Sequence, residues 1–262
     1  MSSVYFEMQD PTRRNKNIGT TKQGRGRNNK LTIPRPCVVS KTFYERLNTY
    51  QKVQKIINGN SFTFVIESTR RNSEHACSVG DIEKIIENIP STDYGSLKFI
   101  ILRQPKRKEE IISPVWGRLI YSYEFENECH PAIILEAIDY SKKIYWNKSQ
   151  SPDDQKEFER LRNDGHQFVE NKKGFFSVFE IERVRNTQLY RTLPHEFGHY
   201  VQYLNFVELS GKTGEDYEEW NNRFEKYLKI SRNEKEKFAN KYASELIKKL
   251  ADQKLIPFDK IQ

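Results

Sequence analysis

Cysteine is scarce in this sequence. Cys37, Cys77 and Cys129 are the three cysteines among 262 residues, an odd number at wide spacing. A disulfide-stabilised scaffold needs paired cysteines, and a cysteine-based zinc site needs cysteines close together in the sequence. The three cysteines form no metal-binding pair and fit reduced cytosolic thiols better than a disulfide scaffold, so we expect a cytoplasmic location.

Long apolar runs are also missing. Hydrophobic residues make up 36% of the chain, and no stretch approaches the roughly 18 consecutive apolar residues of a membrane helix. Residues 1–8 lack the basic region and apolar stretch of a signal peptide. We therefore expect no membrane span. Aromatic residues, at 13% of the chain, supply large side chains for a core.

Acidic residues are absent between residues 11 and 36. This segment contains eight arginines and lysines, and their charge equals the net charge of +8 of the whole chain. The rest of the chain is therefore close to neutral. Because the segment has too little apolar surface to fold by itself, we predict that residues 1–36 form a disordered basic N-terminal tail. Residues 37–262 are predicted to form a single domain.

The basic N-terminal tail has two interpretations. Its charge is typical of segments that bind nucleic acid or an acidic protein partner. A solvated extension explains the same composition. The absence of aromatic residues between 11 and 36 weakens the nucleic-acid interpretation, because no side chain there can stack on bases.

The most informative pattern is His-Glu-x-x-His at residues 195–199. Because four residues advance a helix by about 400°, His195 and His199 project from one face, where both imidazoles can bind one Zn²⁺ at about 2.0–2.1 Å. Glu196 lies about 100° around the helix. It is placed to accept a proton from a water that the metal activates, rather than to bind the metal.

A catalytic zinc site needs a third protein ligand. His75, His130 and His166 lie in no matching context, so a carboxylate is favoured. Apolar residues at 239, 242, 243, 246, 247 and 250 predict a downstream helix. Glu236 lies at the edge of its apolar stripe, and Glu234 lies further off. A glutamate at that edge is either a metal ligand or a first-turn residue favoured by the helix dipole.

Together, the motif at residues 195–199 and Glu-x-x-Ala-Asn at residues 236–240 resemble the gluzincin class of zinc metallopeptidases. The resemblance covers residues 187–251. It implies an α+β, zincin-like fold, in which a small mixed sheet packs on the helix that carries the motif and further helices follow. It also implies a peptide or protein substrate.

The same resemblance implies the roles of individual residues. One catalytic Zn²⁺ would be bound by His195, His199 and Glu236, with Glu196 as the general base. Asn240 stands where the class more often has an aspartate that hydrogen-bonds a ligand histidine. The amide adds no charge, which would weaken metal binding or water activation.

Other parts of the site remain open at this level. Tyr242 and Tyr203 are candidates for the hydrogen-bond donor to the oxyanion, and each also fits a packed core aromatic. The segment at residues 213–216 faintly resembles the aspzincin element, with Asp216 as the third ligand instead of Glu236. A non-enzymatic alternative is a catalytically silent zincin-fold module, whose basic tail binds nucleic acid or a protein partner.

Local patterns predict the remaining secondary structure. We expect helices at residues 40–58, 81–88 and 153–163, and strands at 61–68, 97–103, 117–123, 132–137 and 175–184. In zincins an edge strand above the metal pairs with an extended peptide, and residues 132–137 or 175–184 could provide it. The apolar pattern before Pro194 favours a helix that begins near Thr187 and bends at the proline.

Overall fold

The computed structural model describes Tyr44, residues 46–107, Glu109, residues 116–211 and residues 214–261. Its strands are β1 (Tyr50–Ile57), β2 (Asn60–Glu67), β3 (Ser73–Glu74), β4 (Phe99–Arg103), β5 (Gly117–Phe125), β6 (Glu128–Glu136), β7 (Ile138–Asp139), β8 (Lys143–Asn147), β9 (Val169–Glu170) and β10 (Gly174–Val178). Its α-helices are α1 (Val79–Ile86), α2 (Pro152–Asn163), α3 (Ile181–Thr187), α4 (Leu193–Tyr203), α5 (Tyr217–Lys229) and α6 (Arg232–Asp252). The predicted tail and its boundary at residue 36 lie outside the described residues.

Strands β1 and β2 form a hairpin where the sequence predicted a helix. In the described part of residues 40–58, Tyr50–Ile57 is a strand that pairs antiparallel with β2. Asn58 and Gly59 both adopt positive φ, 47° and 82°. This is the conformation of a two-residue hairpin turn, which Asn-Gly favours strongly. The helix prediction was wrong because the turn dipeptide outweighs a three-to-four-residue apolar spacing. The strand predicted at residues 61–68 is confirmed.

A five-stranded mixed sheet has the order β1-β2-β4-β6-β5. Strands β2, β4 and β6 run parallel, and β1 and β5 pair antiparallel at the two edges. The strands predicted at residues 97–103, 117–123 and 132–137 correspond to β4, β5 and β6. The chain therefore has a mixed α and β fold, as predicted.

Alternating side chains of this sheet fill two cores. Ile100 and Leu102 of β4 belong to the large cluster that includes helical residues such as Phe197, whereas Phe99 and Ile101 belong to a second cluster. Successive residues of a strand point to opposite faces, so both faces of β4 are covered. The helix that carries the candidate metal ligands packs on the first face.

Helix α4 is the continuation of a helical run that begins at Ile181. Between α3 and α4, residues Gln188–Thr192 form a wider π turn, in which the N–H of Leu193 donates to the carbonyl of Gln188. Pro194 has no N–H to offer a regular helix, and its ring crowds the preceding turn. The wider turn accommodates both effects. An early helix start is therefore confirmed, and the predicted strand at residues 175–184 is correct only as far as Val178.

The smaller sheets have the orders β8-β10-β9 and β3-β7. Helix α2 confirms the charged helix predicted at residues 153–163. Helix α1 corresponds to the helix predicted at residues 81–88, and it begins earlier because Ser78 and Asp81 form a reciprocal capping box. Within the described residues, no helix is both long and apolar enough to cross a membrane.

A buried ion pair joins α1 to α3. The guanidinium of Arg185 donates to both carboxylate oxygens of Asp81 at 2.8 and 3.0 Å, and the two side chains are 3% and 0% exposed. Burial by itself would raise the pKa of Asp81, but the Arg185 guanidinium and the N–H groups of Ile261 and Ser78 outweigh it and lower this pKa. Asp81 is therefore ionised and paired inside the fold.

We expect Arg185→Met to lower the free energy of unfolding at pH 7 by about 3–5 kcal/mol, because it leaves the Asp81 carboxylate buried without its counter-ion. Urea denaturation measures the change. Arg183→Met is the control: the Arg183 side chain is 44% exposed and lies 4.0 Å from Glu180 on the surface, so its loss is expected to cost less than about 0.5 kcal/mol. Equal stability of the two variants would contradict this assignment.

The same pair predicts a pH dependence. A carboxyl whose pKa is lowered by folding stabilises the fold above its unfolded pKa of about 3.9, and this contribution is lost as the pH falls through the folded pKa. In Asp81→Asn the acid dependence of stability is expected to be shallower below about pH 4 than in the wild type. Thermal unfolding followed between pH 2 and 6 checks this; identical acid profiles would argue against the pair.

Candidate metal centre

Helix α4 presents two imidazoles side by side. The Nε2 atoms of His195 and His199 lie 3.1 Å apart, and their side chains are 19% and 15% exposed. The apolar residues between and around them, Phe197 above all, are buried in the large core. The His-Glu-x-x-His spacing therefore produces the helical face that the sequence predicted.

Helix α6 brings Glu236 to the same place. Its Oε2 lies 3.3 Å from His195 Nε2, and its Oε1 lies 3.7 Å from His199 Nε2. The helix begins at a capping box in which Ser231 and Glu234 bond each other's backbone N–H groups. Glu234, the alternative ligand, is occupied by this cap, whereas Glu236 lies beyond the first turn and faces the histidines.

The three residues fit a tetrahedral zinc ion. Ligand atoms at about 2.0–2.1 Å from zinc in tetrahedral geometry lie about 3.3 Å from one another. The observed separations of 3.1, 3.3 and 3.7 Å bracket this value. Within the described part of the chain, His195, His199 and Glu236 are the group of three side chains that could hold a metal, with all ligand atoms within 4.8 Å.

Protonation also suits metal binding. Burial, followed by the neighbouring His195, lowers the pKa of His199 to about 4, so this ring is neutral near pH 7 and offers a lone pair. The hydrogen bond from His195 is the main cause that lowers the pKa of Glu236. A neutral imidazole and an ionised carboxylate are the forms that bind zinc.

Glycine at position 198 allows α4 and α6 to approach closely. A Cβ atom at Gly198 would lie 2.7 Å from the Cα and 2.9 Å from the carbonyl oxygen of Ala239. Gly198 follows His195 by three residues, and Ala239 follows Glu236 by three. The helix contact that excludes a side chain here is therefore the contact that aligns the two halves of the metal centre.

We expect Gly198→Ala to weaken zinc binding by at least about tenfold and to destabilise the fold by about 1–3 kcal/mol. Alanine is the better helix former, so only the clash with the Ala239 backbone can produce this loss. Competition with a chromophoric zinc chelator and urea denaturation measure the two effects. A variant with wild-type affinity and stability would show that the approach of the helices is not restrictive.

Glu196 lies in the same cavity without joining the three ligands. Burial raises the pKa of its carboxyl to about 7, against the opposing influence of His195, the backbone N–H of Leu119 and Arg118; Glu236 raises it further. The Leu119 N–H donates to this carboxylate and so fixes its position beside β5. Glu196 is therefore a carboxyl poised to gain or lose a proton near neutral pH.

The metal centre opens into a cavity of about 490 Å³ between α4, α6 and strand β5. Arg118, Leu119 and Tyr121 of β5 line it, together with Leu228 and Lys235. Strand β5 pairs with β6 on one side and forms an edge of the five-stranded sheet as described. Among the strands that the structure describes, it is the one beside the candidate metal centre whose outer edge pairs with no other strand.

The two strands predicted to provide this edge do not do so. Residues 132–137 belong to β6, which lies between β4 and β5 and has neighbours on both sides. Residues 175–178 belong to β10, the central strand of the separate three-stranded sheet. Periodicity locates strands but does not determine their order, and the order decides which strand has an unpaired edge.

The predicted oxyanion donors lie elsewhere. The hydroxyl of Tyr242 donates to Asp93 Oδ2 at 2.8 Å, and Tyr242 does not line the cavity. Tyr203 is 5% exposed and packs with its ring centroid 4.8 Å from that of Tyr121. The predicted catalytic role of Tyr242 is therefore not supported by its position. Tyr121, for which no sequence pattern suggested a role, lines the cavity in the described structure, and its hydroxyl lies 2.9 Å from that of Tyr227.

Asp216 and Asn240 also differ from expectation. Asp216 caps α5, because its carboxylate accepts a hydrogen bond from the N–H of Glu219 at 2.9 Å. The third ligand of the aspzincin-like alternative therefore lies in a helix cap and not beside the two histidines. Among the hydrogen bonds of the described residues, none joins the Asn240 side chain to His195 or His199. Its expected role as a partner of a ligand histidine is therefore not observed.

The comparisons with known proteins add no relative: no family model, no curated protein and no solved structure matches this chain.

Proposed function

We propose that this chain is a zinc-dependent metallopeptidase with a zincin-like fold. The observation that carries the proposal is the convergence of His195, His199 and Glu236, with ligand atoms within 4.8 Å of one another, in a cavity that also contains Glu196. Two histidines and one carboxylate are the ligand set of a catalytic rather than a structural zinc site. Glu196, which is not a ligand, lies beside them where a general base would act.

Each residue of the site has a distinct role. Zinc bound by the three ligands would supply Lewis acidity to a water molecule and to the scissile carbonyl. Glu196 accepts the proton that the water loses and delivers it to the leaving amine. Burial raises the pKa of Glu196 in the metal-free site. A Zn²⁺ ion bound beside it would favour the ionised carboxylate, which is the form that accepts the proton of the water.

Strand β5 is the proposed binding site for the peptide. Its unpaired edge can form backbone hydrogen bonds with an extended substrate, and its residues 118, 119 and 121 line the cavity. The N–H of Leu119 bonds Glu196, so the strand that would hold the substrate also positions the general base. This arrangement supports a binding mode in which the scissile bond of the substrate would lie close to Glu196 and the three metal ligands.

The alternative of a catalytically silent binding module has no use for Glu196. A carboxyl kept beside the ligands, with a pKa raised to about 7 by burial, costs stability and adds nothing to a purely structural metal site. The proposal of an enzyme therefore accounts for Glu196, whereas the proposal of a binding module does not.

We expect the zinc-loaded full chain to cleave unfolded casein. Treatment with 1,10-phenanthroline should abolish cleavage and added Zn²⁺ should restore it, because the proposed reaction requires the metal. Residues 37–262 alone should retain activity if the basic tail lies outside the site. A folded, zinc-loaded chain that cleaves no unfolded protein would favour the binding module.

A further inference from the structure

The cavity at the candidate metal centre is lined by three cationic side chains, Arg118, Arg232 and Lys235. Two carboxylates, Glu196 and Glu236, line it as well, and both have functions in the proposed chemistry. Addition of a divalent metal makes the cavity strongly positive. A cavity of this kind favours an anionic group on its ligand.

Two of the three cations already have acidic partners. Arg118 donates to the hydroxyl of Tyr44 at 2.5 Å and lies 3.4 Å from Glu136. The largely exposed Arg232 lies 3.9 Å from Glu236 on the same helix. Neither guanidinium is therefore fully available to a ligand.

Lys235 differs from both. Its Nζ donates to the carbonyl of Leu228 at 3.4 Å and lies 4.4 Å from the centroid of the Tyr227 ring. Among the described residues, no carboxylate lies within ion-pair distance of it. An ammonium has three N–H donors, and one weak bond to a carbonyl leaves two for a ligand.

The surroundings of Lys235 define the shape of that ligand. Leu228, in the last turn of α5, and Ile230, in the connection from α5 to α6, supply apolar surface to the same cavity. Lys235 is also the neighbour of the metal ligand Glu236, so its ammonium and the reacting centre lie within one cavity. A short apolar stem that ends in a carboxylate matches this combination of apolar wall and ammonium.

We propose that Lys235 is a specificity-determining residue that binds a carboxylate of the substrate, so that this enzyme prefers acidic peptides. The inference rests on the proposed peptidase function. The carboxylate has two possible sources, a glutamate or aspartate side chain near the scissile bond and the C-terminal carboxylate of a short peptide. Both present the same group to the ammonium, and the experiment separates them.

The test uses matched fluorogenic octapeptides with the zinc-loaded full chain. One set contains a single Glu moved along the peptide and has an amidated C-terminus; a second replaces that Glu with Gln; a third contains Gln and a free C-terminal carboxylate. We expect the best acidic peptide to exceed its neutral counterpart about tenfold in kcat/KM, which is the selectivity of one charged contact. If peptides of the first set are preferred, the carboxylate that Lys235 binds belongs to a side chain. If peptides of the third set are preferred, it is the C-terminal carboxylate.

Lys235→Met should reduce this preference to less than about twofold, and Lys235→Glu should reverse it. Lys241→Met is the matched control, because Lys241 lies on the same helix, is 76% exposed and pairs with Glu245 outside the cavity. It removes the same charge and should retain the full preference. Equal kcat/KM for acidic and neutral peptides, or a preference that persists in Lys235→Met, would overturn the proposal.

A binding measurement separates this inference from the peptidase proposal. Fluorescence anisotropy of the same labelled peptides with zinc-loaded Glu196→Gln requires no turnover. We expect acidic peptides to bind more tightly than neutral ones, and we expect the double variant Glu196→Gln, Lys235→Met to lose this difference. That result supports the carboxylate site even if the wild-type chain cleaves nothing. Acidic and neutral peptides that bind alike overturn it, whether or not cleavage occurs.

Discussion

Replacement of Glu196 with glutamine is expected to lower kcat/KM for peptide hydrolysis by about 10²–10⁴-fold while the chain keeps one zinc ion. Glutamine is nearly isosteric and can still contact the N–H of Leu119 through its amide, so the fold and the three ligands are unaffected. It cannot accept the proton of the attacking water. The loss should therefore appear in kcat, with little change in KM.

The control for this variant is Glu245→Gln. Glu245 lies on α6 with 69% of its side chain exposed, and it pairs only with Lys241 at 3.8 Å in the described structure. The same chemical change there should leave kcat/KM within about twofold of the wild type. Zinc content by elemental analysis accompanies both assays. Undiminished activity of Glu196→Gln would end the claim that this carboxyl is the general base.

Removal of the third ligand is expected to have the other large effect. Changes in the residues around metal ligands reduce affinity by about 10–100-fold, so loss of a ligand itself should reduce zinc affinity by at least about 100-fold. We therefore expect Glu236→Ala to lose zinc in competition with a chromophoric chelator, and His195→Ala to behave in the same way. Activity should fall in parallel.

Asp216→Ala and Glu245→Ala are the matched variants for this test. Asp216 caps α5 and Glu245 is exposed, so both should retain wild-type zinc affinity. Loss of zinc in Asp216→Ala together with retention in Glu236→Ala would instead support the aspzincin-like ligand set. The two assignments therefore predict opposite results with the same pair of proteins.

The core of the candidate site was predictable because it depends on local periodicity. The spacing of His195 and His199 determines their common face as soon as a helix forms, and the apolar stripe of α6 places Glu236 at its edge. The capped helix α1 and the buried strands β4 and β6 were predicted for the same reason. In each case a short segment contains the whole signal.

The features of the site that the sequence did not predict correctly depend on contacts between distant segments of the chain. Whether β5 or β6 forms the sheet edge follows from strand order, which no local pattern encodes. Tyr242 points to Asp93 rather than into the cavity because of how α6 rotates against its neighbours. Lys235 carries no sequence signal, since an isolated lysine beside a metal ligand looks like any solvated charge on a helix.

The helix prediction for the segment that contains β1 failed for a different reason. Its apolar residues repeat at a spacing that fits a helix, and a glycine such as Gly59 is common both after a helix and in a hairpin turn. The positive φ angles of Asn58 and Gly59 show the hairpin turn. Here the decisive signal was present in the sequence and local. An Asn-Gly dipeptide therefore determines the local structure here more strongly than an apolar spacing that extends over only a few turns.

X-ray absorption spectroscopy of the zinc-loaded chain tests the central claim most directly, because it identifies the ligand atoms without reference to activity. The account predicts one zinc ion per chain with nitrogen and oxygen ligands at about 2.0–2.1 Å, including two imidazoles. The spectrum of Glu236→Ala should lose this signature. A sulfur ligand at about 2.3 Å, or a zinc ion bound by fewer than two imidazoles in the wild type, would contradict it.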